Sequence, residues 1–293
     1  MDPAVLGARL ASGLVGPLVK KLFVKEGPGA ALVDRPVGVE VWGDLGPELI
    51  TRVLSEEKPH SLSLTNSPVT DLGFLERYRN LTLLRLMECP GLTSVEPLTR
   101  IPLERLILND LPGLGDLSPL SELDRLTLLS LRGATPWPGL DALPRKAPLK
   151  YLFLPPTAHD LSDLGDFRTL VQLGLNLDAP LTQEDWQAVA GLEHLTSLSL
   201  SLGELTALHA HGLRMERIDS VSLMAEHQTP VLGPLLAVFP AMTYLYVFQA
   251  DEVDLSPLAA HPRLTKVLTT PNCRLRNASA LPASVEVVPR PKE

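Results

Sequence analysis

The stretch LTLLRL, residues 81–86, recurs in closely similar form as LTLLSL at 126–131 and LTSLSL at 195–200. Reduced to the pattern L-x-x-L-x-L, it returns along most of the chain in steps of 21 to 25 residues. Its first positions are Pro59, Leu81, Leu103, Leu126, Leu149, Leu170, Leu195, Ile218, Met242 and Leu264. Self-similarity at such a period predicts a series of stacked structural units.

The alternation within the pattern predicts one β-strand per unit. Leu84 and Leu86, like Leu129 and Leu131, are two residues apart and therefore point to the same face of a strand. A single strand cannot bury its own apolar row. Stacked at ~4.8 Å beside equivalent strands, each leucine contributes ~1.5–3 kcal/mol through burial. The pattern therefore predicts a parallel sheet with the leucines on its inner face.

The segments between strands contain a second recurring motif, which predicts short turns. DLSPL occurs at 116–120 and 254–258, with relatives at 71–75, 94–98 and 160–164. Asp or Ser caps such a turn and Pro presets φ, so we expect 3₁₀-like conformations. In two units we expect α-helices instead. These are QEDWQAVAGL, opened by a capping box from Thr182 to Asp185, and PVLGPLLAVF at 230–239.

The motifs LTLLRLMEC and DLSPL resemble those of the leucine-rich repeat family, with a step similar to its short bacterial subclass. The resemblance covers residues 59–275. It implies an α/β leucine-rich repeat solenoid: a curved horseshoe with a parallel concave sheet and short 3₁₀ or helical convex segments. Family members carry Asn or Cys at the ninth position of the unit, where the side chain links neighbouring turns. Only Cys89 and Asn272 fit, so we expect no regular ladder and an irregular solenoid.

The flanks of the repeats predict caps that cover the two ends of the core. At residues 37–58, VGVEVW alternates like an edge strand and GPELITRVLSEEK reads as a short amphipathic helix. At residues 276–293, SVEVVP supplies a last strand.

Residues 1–36 form a predicted N-terminal helical segment. Leucines from Leu6 to Leu22 follow a four-residue step, and Pro17 should split the helix. ARLASGLVGPLVKKLFVKEGPGAALVDRPV resembles the start of the N-terminal helical domain of bacterial NACHT proteins. The ATPase of that family needs a phosphate loop ending in Lys-Ser or Lys-Thr, which this sequence lacks. Two alternatives are a helix packed on the solenoid and a helix lying on a membrane surface.

Composition and charge narrow the classes of function. The net charge of −8 argues against nucleic-acid binding, and two cysteines without a secretory leader favour a cytoplasmic protein. We find no catalytic constellation, metal site or cofactor site, and read His209 and His211 as solvated. The sequence therefore predicts a protein that is not an enzyme.

The outward residues of the strands are the candidate binding site. On the concave face they form two anchor zones separated by a Ser/Gly floor. The predicted protein-binding residues are Arg85, Arg105, Ile107, Arg132, Tyr151, Phe153, Tyr244, Tyr246 and Phe248. Aromatic and arginine side chains anchor protein interfaces. Alternatively, aromatics merely suit strands, or the N-terminal helix covers this face.

These features give a principal hypothesis for function and two alternatives. The principal one is a module that recognises a protein or peptide in a NACHT-type bacterial defence system. Residues 1–36 would then contact a NACHT ATPase. The alternatives are a scaffold or inhibitor that wraps an enzyme, and an adaptor at a membrane surface.

Overall fold

The computed structural model describes residues 18–26, 33–43, 47–57 and 59–289. The chain divides into two compact units, residues 1–148 and 149–293. Each unit is built from strands that lie side by side in the order of the sequence, except where a short strand leaves the main sheet.

The described residues of the first unit form six strands. β1 pairs with β2 in antiparallel orientation, and β2 to β6 then pair in parallel, each with the next. Their bounds are β1 Leu18–Glu26, β2 Val33–Trp42, β3 Ser61–Thr65, β4 Leu83–Met87, β5 Arg105–Asn109 and β6 Leu128–Arg132.

From residue 149 to residue 289, the second unit forms a main sheet of seven parallel strands and a separate pair. The main sheet follows the order β7, β8, β9, β10, β11, β13, β15, while β12 pairs with β14. The bounds are β7 Tyr151–Phe153, β8 Gln172–Gly174, β9 Ser197–Ser201, β10 Ser220–Met224, β11 Tyr244–Phe248, β12 Glu252–Asp254, β13 Lys266–Thr269, β14 Arg274–Arg276 and β15 Glu286–Pro289.

The repeated leucines form the core of each unit, as the pattern predicts. Leu84 and Leu86 are at most 1% exposed, and they align across the sheet with the equivalent residues of the next strand, Leu106 and Leu108. The register brings equivalent positions of neighbouring repeats into line, because each pair of strands is aligned at the same point of the L-x-x-L-x-L pattern. The leucine rows therefore bury one another along the sheet.

The returning segments form 3₁₀-helices at each predicted DLSPL-type turn. Asp116 Oδ1 accepts a hydrogen bond from the backbone N–H of Ser118 at 2.8 Å, and Asp254 does the same for Ser256 at 2.9 Å. The 3₁₀-helices are Gly73–Leu75, Glu96–Arg100, Ser118–Glu122, Leu140–Ala142, Ser162–Asp166, Ser256–Leu258 and Ala278–Ala280.

Four α-helices complete the described residues: α1 Pro47–Glu57, α2 Gln183–Gly191, α3 Leu202–Ala210 and α4 Pro234–Val238. The predicted capping box at Thr182 is present. The helix predicted over 230–239 is shorter. α3 was not expected, and it begins directly after β9 because Ser201 caps it through the N–H of Glu204.

The predicted N-terminal helical segment needs correction where the structure describes it. Residues 1–17 and 27–32 lie outside the described residues, whereas Leu18–Glu26 form strand β1. A four-residue step is also a multiple of two, so the leucine spacing that suits a helix suits a strand equally. Consequently β2, predicted as an edge strand, lies between β1 and β3. The predicted cap helix and the last C-terminal strand are both present.

Several of the turns that leave a strand use a left-handed residue. In the first unit these residues include Asn66, Glu88, Asp110 and Gly133, with φ between 52° and 64°. The turn at Gly133 is especially crowded, because a Cβ there would lie 1.9 Å from Asp110 Oδ1. That carboxylate oxygen accepts a hydrogen bond from the N–H of Ala134. Gly133 is therefore required by both φ and space.

Neighbouring repeats are linked by different polar side chains rather than by a regular row of Asn or Cys. Cys89 is buried, and its Sγ lies 3.9 Å from the carbonyl of Leu64 in the preceding unit. Burial raises the pKa of this thiol. Thr135 Oγ1 donates to the Leu108 carbonyl at 2.9 Å. Both side chains satisfy backbone groups that the core would otherwise leave unpaired.

In the second unit, carboxylates form the hydrogen bonds to the backbone of the preceding repeat. Asp185 Oδ1 accepts from the N–H of Leu161 at 2.7 Å. Glu204 Oε1 accepts from the N–H groups of Asn176 and Leu177 at 3.1 and 3.0 Å. Each of these acids also closes the capping box of its own helix. Each of these buried side chains thus caps a helix and links two neighbouring repeats.

His261 makes the corresponding link further along the chain, and it predicts a pH dependence. The side chain is 4% exposed, and its Nε2 lies 3.0 Å from the Phe239 carbonyl, to which the neutral ring donates. Burial lowers the pKa of His261. The stability from the neutral ring is therefore complete above about pH 6.5 and is lost as pH falls through the lowered pKa.

We expect the urea midpoint to fall between pH 7.5 and 5.5, and His261→Gln to reduce that fall. His159→Gln, at an exposed histidine, is the control and should leave it unchanged. An equal pH dependence in the wild type and in His261→Gln would show that this residue is not responsible.

Candidate functional site

The candidate site lies on the sheet face opposite the core, called here the outer sheet face of each unit. Within a strand such as β9, Leu198 and Leu200 are buried, and the three serines that alternate with them are partly exposed. Because the register aligns equivalent positions, the outward side chains form rows across neighbouring strands.

In the first unit, the outer sheet face combines arginines with aliphatic side chains. Arg85 pairs in register with Ile107, and Arg105 with Leu128. Arg85, Arg105 and Arg132 are exposed, while Ile107 is half-buried. The structure thus brings the four predicted site residues of this unit together on one face.

In the second unit, the five predicted aromatic residues occupy two strands of one sheet. Tyr151 and Phe153 lie on β7, and Tyr244, Tyr246 and Phe248 on β11. Tyr151 and Tyr244 occupy equivalent positions, since the strand register aligns both with the same row of residues on β8, β9 and β10. The two groups therefore flank three intervening strands, as the sequence predicts for anchor zones beside a floor.

The aromatic side chains differ in exposure, which the sequence could not show. Tyr151 is 38% exposed, whereas Tyr246 is only 7% exposed and its ring centroid lies 3.6 Å from that of Phe248. The ring of Phe153 lies over Gly174, where a Cβ would come within 2.2 Å of Cδ1. Tyr246 is therefore built into the sheet, whereas Phe153, Tyr244 and Phe248 are half-buried and Tyr151 is exposed.

The floor between the aromatic strands consists mostly of small residues. These are Gly174 on β8, Ser197 and Ser199 on β9, and Ser220 and Ser222 on β10, and all four serines are partly exposed. Two larger side chains, Gln172 at the start of β8 and Met224 at the end of β10, also lie on this face. Small residues therefore occupy most of the face between the two aromatic strands.

Acidic residues follow three of these strands, and sequence reasoning missed them. Asp178, Glu226 and Asp251 lie in the turns after β8, β10 and β11, and all are exposed. Asp251 pairs with His227 at 3.0 Å. We call these three carboxylates the acidic rim. Their signal in the sequence was their recurrence two to four residues after a strand.

The described ranges hold no group of three or more His, Cys, Asp or Glu side chains placed to hold a metal ion. Both cysteines are free. In the same ranges no helix is long and apolar enough to cross a membrane.

Repeating strands and return segments with a shared leucine core define the architecture. The fold is that of a leucine-rich repeat solenoid. No protein-family model and no curated protein matches this chain.

Solved structures similar to this solenoid come from bacteria. An internalin (InlF) from Listeria monocytogenes is 16% identical, with a TM-score of 0.44 over 89% of this chain and 91% of the internalin. Internalin C2 from the same organism is 18% identical, with a TM-score of 0.34 and coverages of 80% and 81%. A leucine-rich repeat protein from Leptospira interrogans is 15% identical, with a TM-score of 0.45 and coverages of 85% and 72%.

Proposed function

We propose that this leucine-rich repeat protein is a non-enzymatic recognition module that binds a protein partner through its outer sheet faces. The observation that carries the proposal is the concentration of arginine and aromatic side chains in register on those faces. The same positions in the middle of the second unit hold mostly Gly and Ser, with Gln172 and Met224 as the larger residues. Arginine, tyrosine and tryptophan are the residue types that dominate binding energy at protein interfaces.

The first unit adds a favourable electrostatic feature. The outward positions of β4, β5 and β6 include Arg85, Arg105 and Arg132 and no acidic residue. An acidic patch on a partner would complement these arginines, and the aliphatic residues between them would exclude water.

The test is affinity capture with the full chain, followed by quantitative mass spectrometry. One variant combines Arg85→Glu with Arg105→Glu, and a second combines Tyr151→Ser with Tyr244→Ser. We expect at least one of the pairs to reduce recovery of the partner by about 30-fold or more, since hot-spot residues each contribute ≥2 kcal/mol.

Control variants alter exposed residues outside the strands. Val231→Ser removes a side chain that is 75% exposed, and Arg214→Glu reverses an exposed charge. Both should retain the partner. Recovery that is equal for all four proteins would eliminate the outer sheet faces as the binding surface.

The finer assignment to a NACHT-type defence system, in the cytoplasm, rests on the resemblance of residues 1–36 alone. That resemblance implies helices, whereas the described part of this segment contributes to the paired strands β1 and β2. A NACHT ATPase among the captured proteins, lost when residues 1–36 are deleted, would support it. Binding of liposomes that requires residues 1–25 would favour the membrane adaptor, and inhibition of a captured enzyme would favour the inhibitor.

A further inference from the structure

On the outer sheet face of the second unit, mostly small residues lie between the aromatic strands β7 and β11, and we call this area the trough. The spacing of its strands and the charge at their carboxyl ends specify an occupant. We propose that it receives an amphipathic α-helix of the partner, lying along the strands with its amino-terminal end at the acidic rim. This inference rests on the proposed function, because it identifies the partner element that this face binds.

The width of the trough suits a helix. β7 and β11 are four strand positions apart, or about 19 Å at ~4.8 Å per strand. The Phe153 ring lies over Gly174 on β8, which leaves about 14 Å from β8 to β11. An α-helix with its side chains is ~10–12 Å across. One helix therefore fills the space above β9 and β10, and two do not fit.

The length is also suitable. β9 and β10 each have five residues, which span about 17 Å. Three turns of helix, about 11 residues, cover the same distance. Small residues such as Ser199 and Ser222 allow the helix to approach closely, while Tyr151 and Tyr244 lie at its two sides.

An extended peptide is less well matched to this surface. Each of the strands β8, β9 and β10 is paired on both sides with another strand of the second unit. The backbone N–H and C=O groups of the floor are therefore already hydrogen-bonded within the sheet. An extended segment lying on the face would leave its own N–H and C=O groups without sheet partners. A helix satisfies these groups internally.

Charge sets the direction of the helix. The outward residues from β7 to β11 carry no charge, whereas Asp178, Glu226 and Asp251 follow the carboxyl ends of the strands. The turns that hold them, residues 175–180, 225–229 and 249–251, contain no Lys or Arg. The amino-terminal end of a helix is positive and attracts this rim, as would basic residues of the partner beside it.

The experiment places p-benzoylphenylalanine, a photo-crosslinker, at Ser197 or Ser199 in the full chain and maps the crosslinked residue of the captured protein. The two positions are ~7 Å apart along β9. On a helix this distance corresponds to four or five residues, at 1.5 Å per residue, and on an extended peptide to two. We expect the residue crosslinked from Ser199 to precede the one crosslinked from Ser197 by about four.

The same crosslinker at Tyr151 or Tyr244 provides a second measurement, because it replaces a side chain of similar size. Both positions should label one helical segment, at residues within about one turn of each other. The proposal would be overturned if the partner residues crosslinked from Ser197 and Ser199 were two residues apart. It would also be overturned if Tyr151 and Tyr244 labelled separate segments of the partner.

Failure of the inference and failure of the proposed function give different results. If crosslinkers at Arg85 and Ile107 capture a partner and those of the second unit capture none, recognition stands and the helix site is overturned. If no position on either outer sheet face captures a protein, the proposed function fails with it.

Discussion

Leu129→Ala is expected to lower the free energy of unfolding by about 3–4 kcal/mol, which lies within the ~2–5 kcal/mol found for buried leucines. Leu129 is 0% exposed on β6 and aligns with Leu106 of β5. The side chains around Leu129 belong to adjacent repeats. They therefore cannot fill the cavity that the substitution leaves without moving a whole strand. Urea denaturation followed by circular dichroism measures the change.

Leu128→Ala is the matched control for this prediction. Leu128 is the preceding residue of the same strand, but it lies on the outer sheet face and is half-buried. The same chemical change should cost well under half as much there. Equal costs at the two positions would contradict the assignment of the inner and outer faces of β6.

Glu204→Ala is expected to destabilise the second unit by about 3 kcal/mol. The carboxylate accepts from three backbone N–H groups, those of Asn176, Leu177 and Ser201. Alanine would leave these donors without their partner, and a buried unsatisfied group costs about 1–3 kcal/mol. Native-state hydrogen exchange should show the loss of protection at Asn176 and Leu177 before other amides of the unit.

Glu204→Gln separates hydrogen bonding from charge. Burial raises the pKa of Glu204, against the opposing effect of its N–H donors, so the charge itself is disfavoured. Glutamine keeps one acceptor oxygen for Asn176 and Leu177 and carries no charge. We expect it to lose clearly less stability than Glu204→Ala. A glutamine variant as unstable as the alanine variant would show that charge, rather than acceptor geometry, maintains the link.

The repeats were predictable because one physical rule acts many times. Leu84 and Leu198 face the core for the same reason, and each unit confirms the register of the next. The N-terminal strand was not predictable, because a four-residue leucine step fits a helix and a strand alike. α3 was missed since Ser201 belongs to a strand pattern and also caps the helix that follows.

The candidate site was predictable only as a set of positions. Alternation indicated that Tyr151 and Tyr246 share a face, and the sheet register agrees. Their difference in exposure depends on neighbours in other strands, such as the ring of Phe248 beside Tyr246. The acidic rim depends on the length of each turn, which varies with the spacing of the units.

The buried polar side chains also bear on how such a protein can change during evolution. Thr135, Asp185, Glu204 and His261 each bond the backbone of the segment before their own, and each does so with different chemistry. If a single repeat were deleted, duplicated or moved, its buried donor or acceptor would face a repeat that lacks the matching backbone group. Unlike arrays of interchangeable modules, this one is constrained to keep its modules in their present order and number.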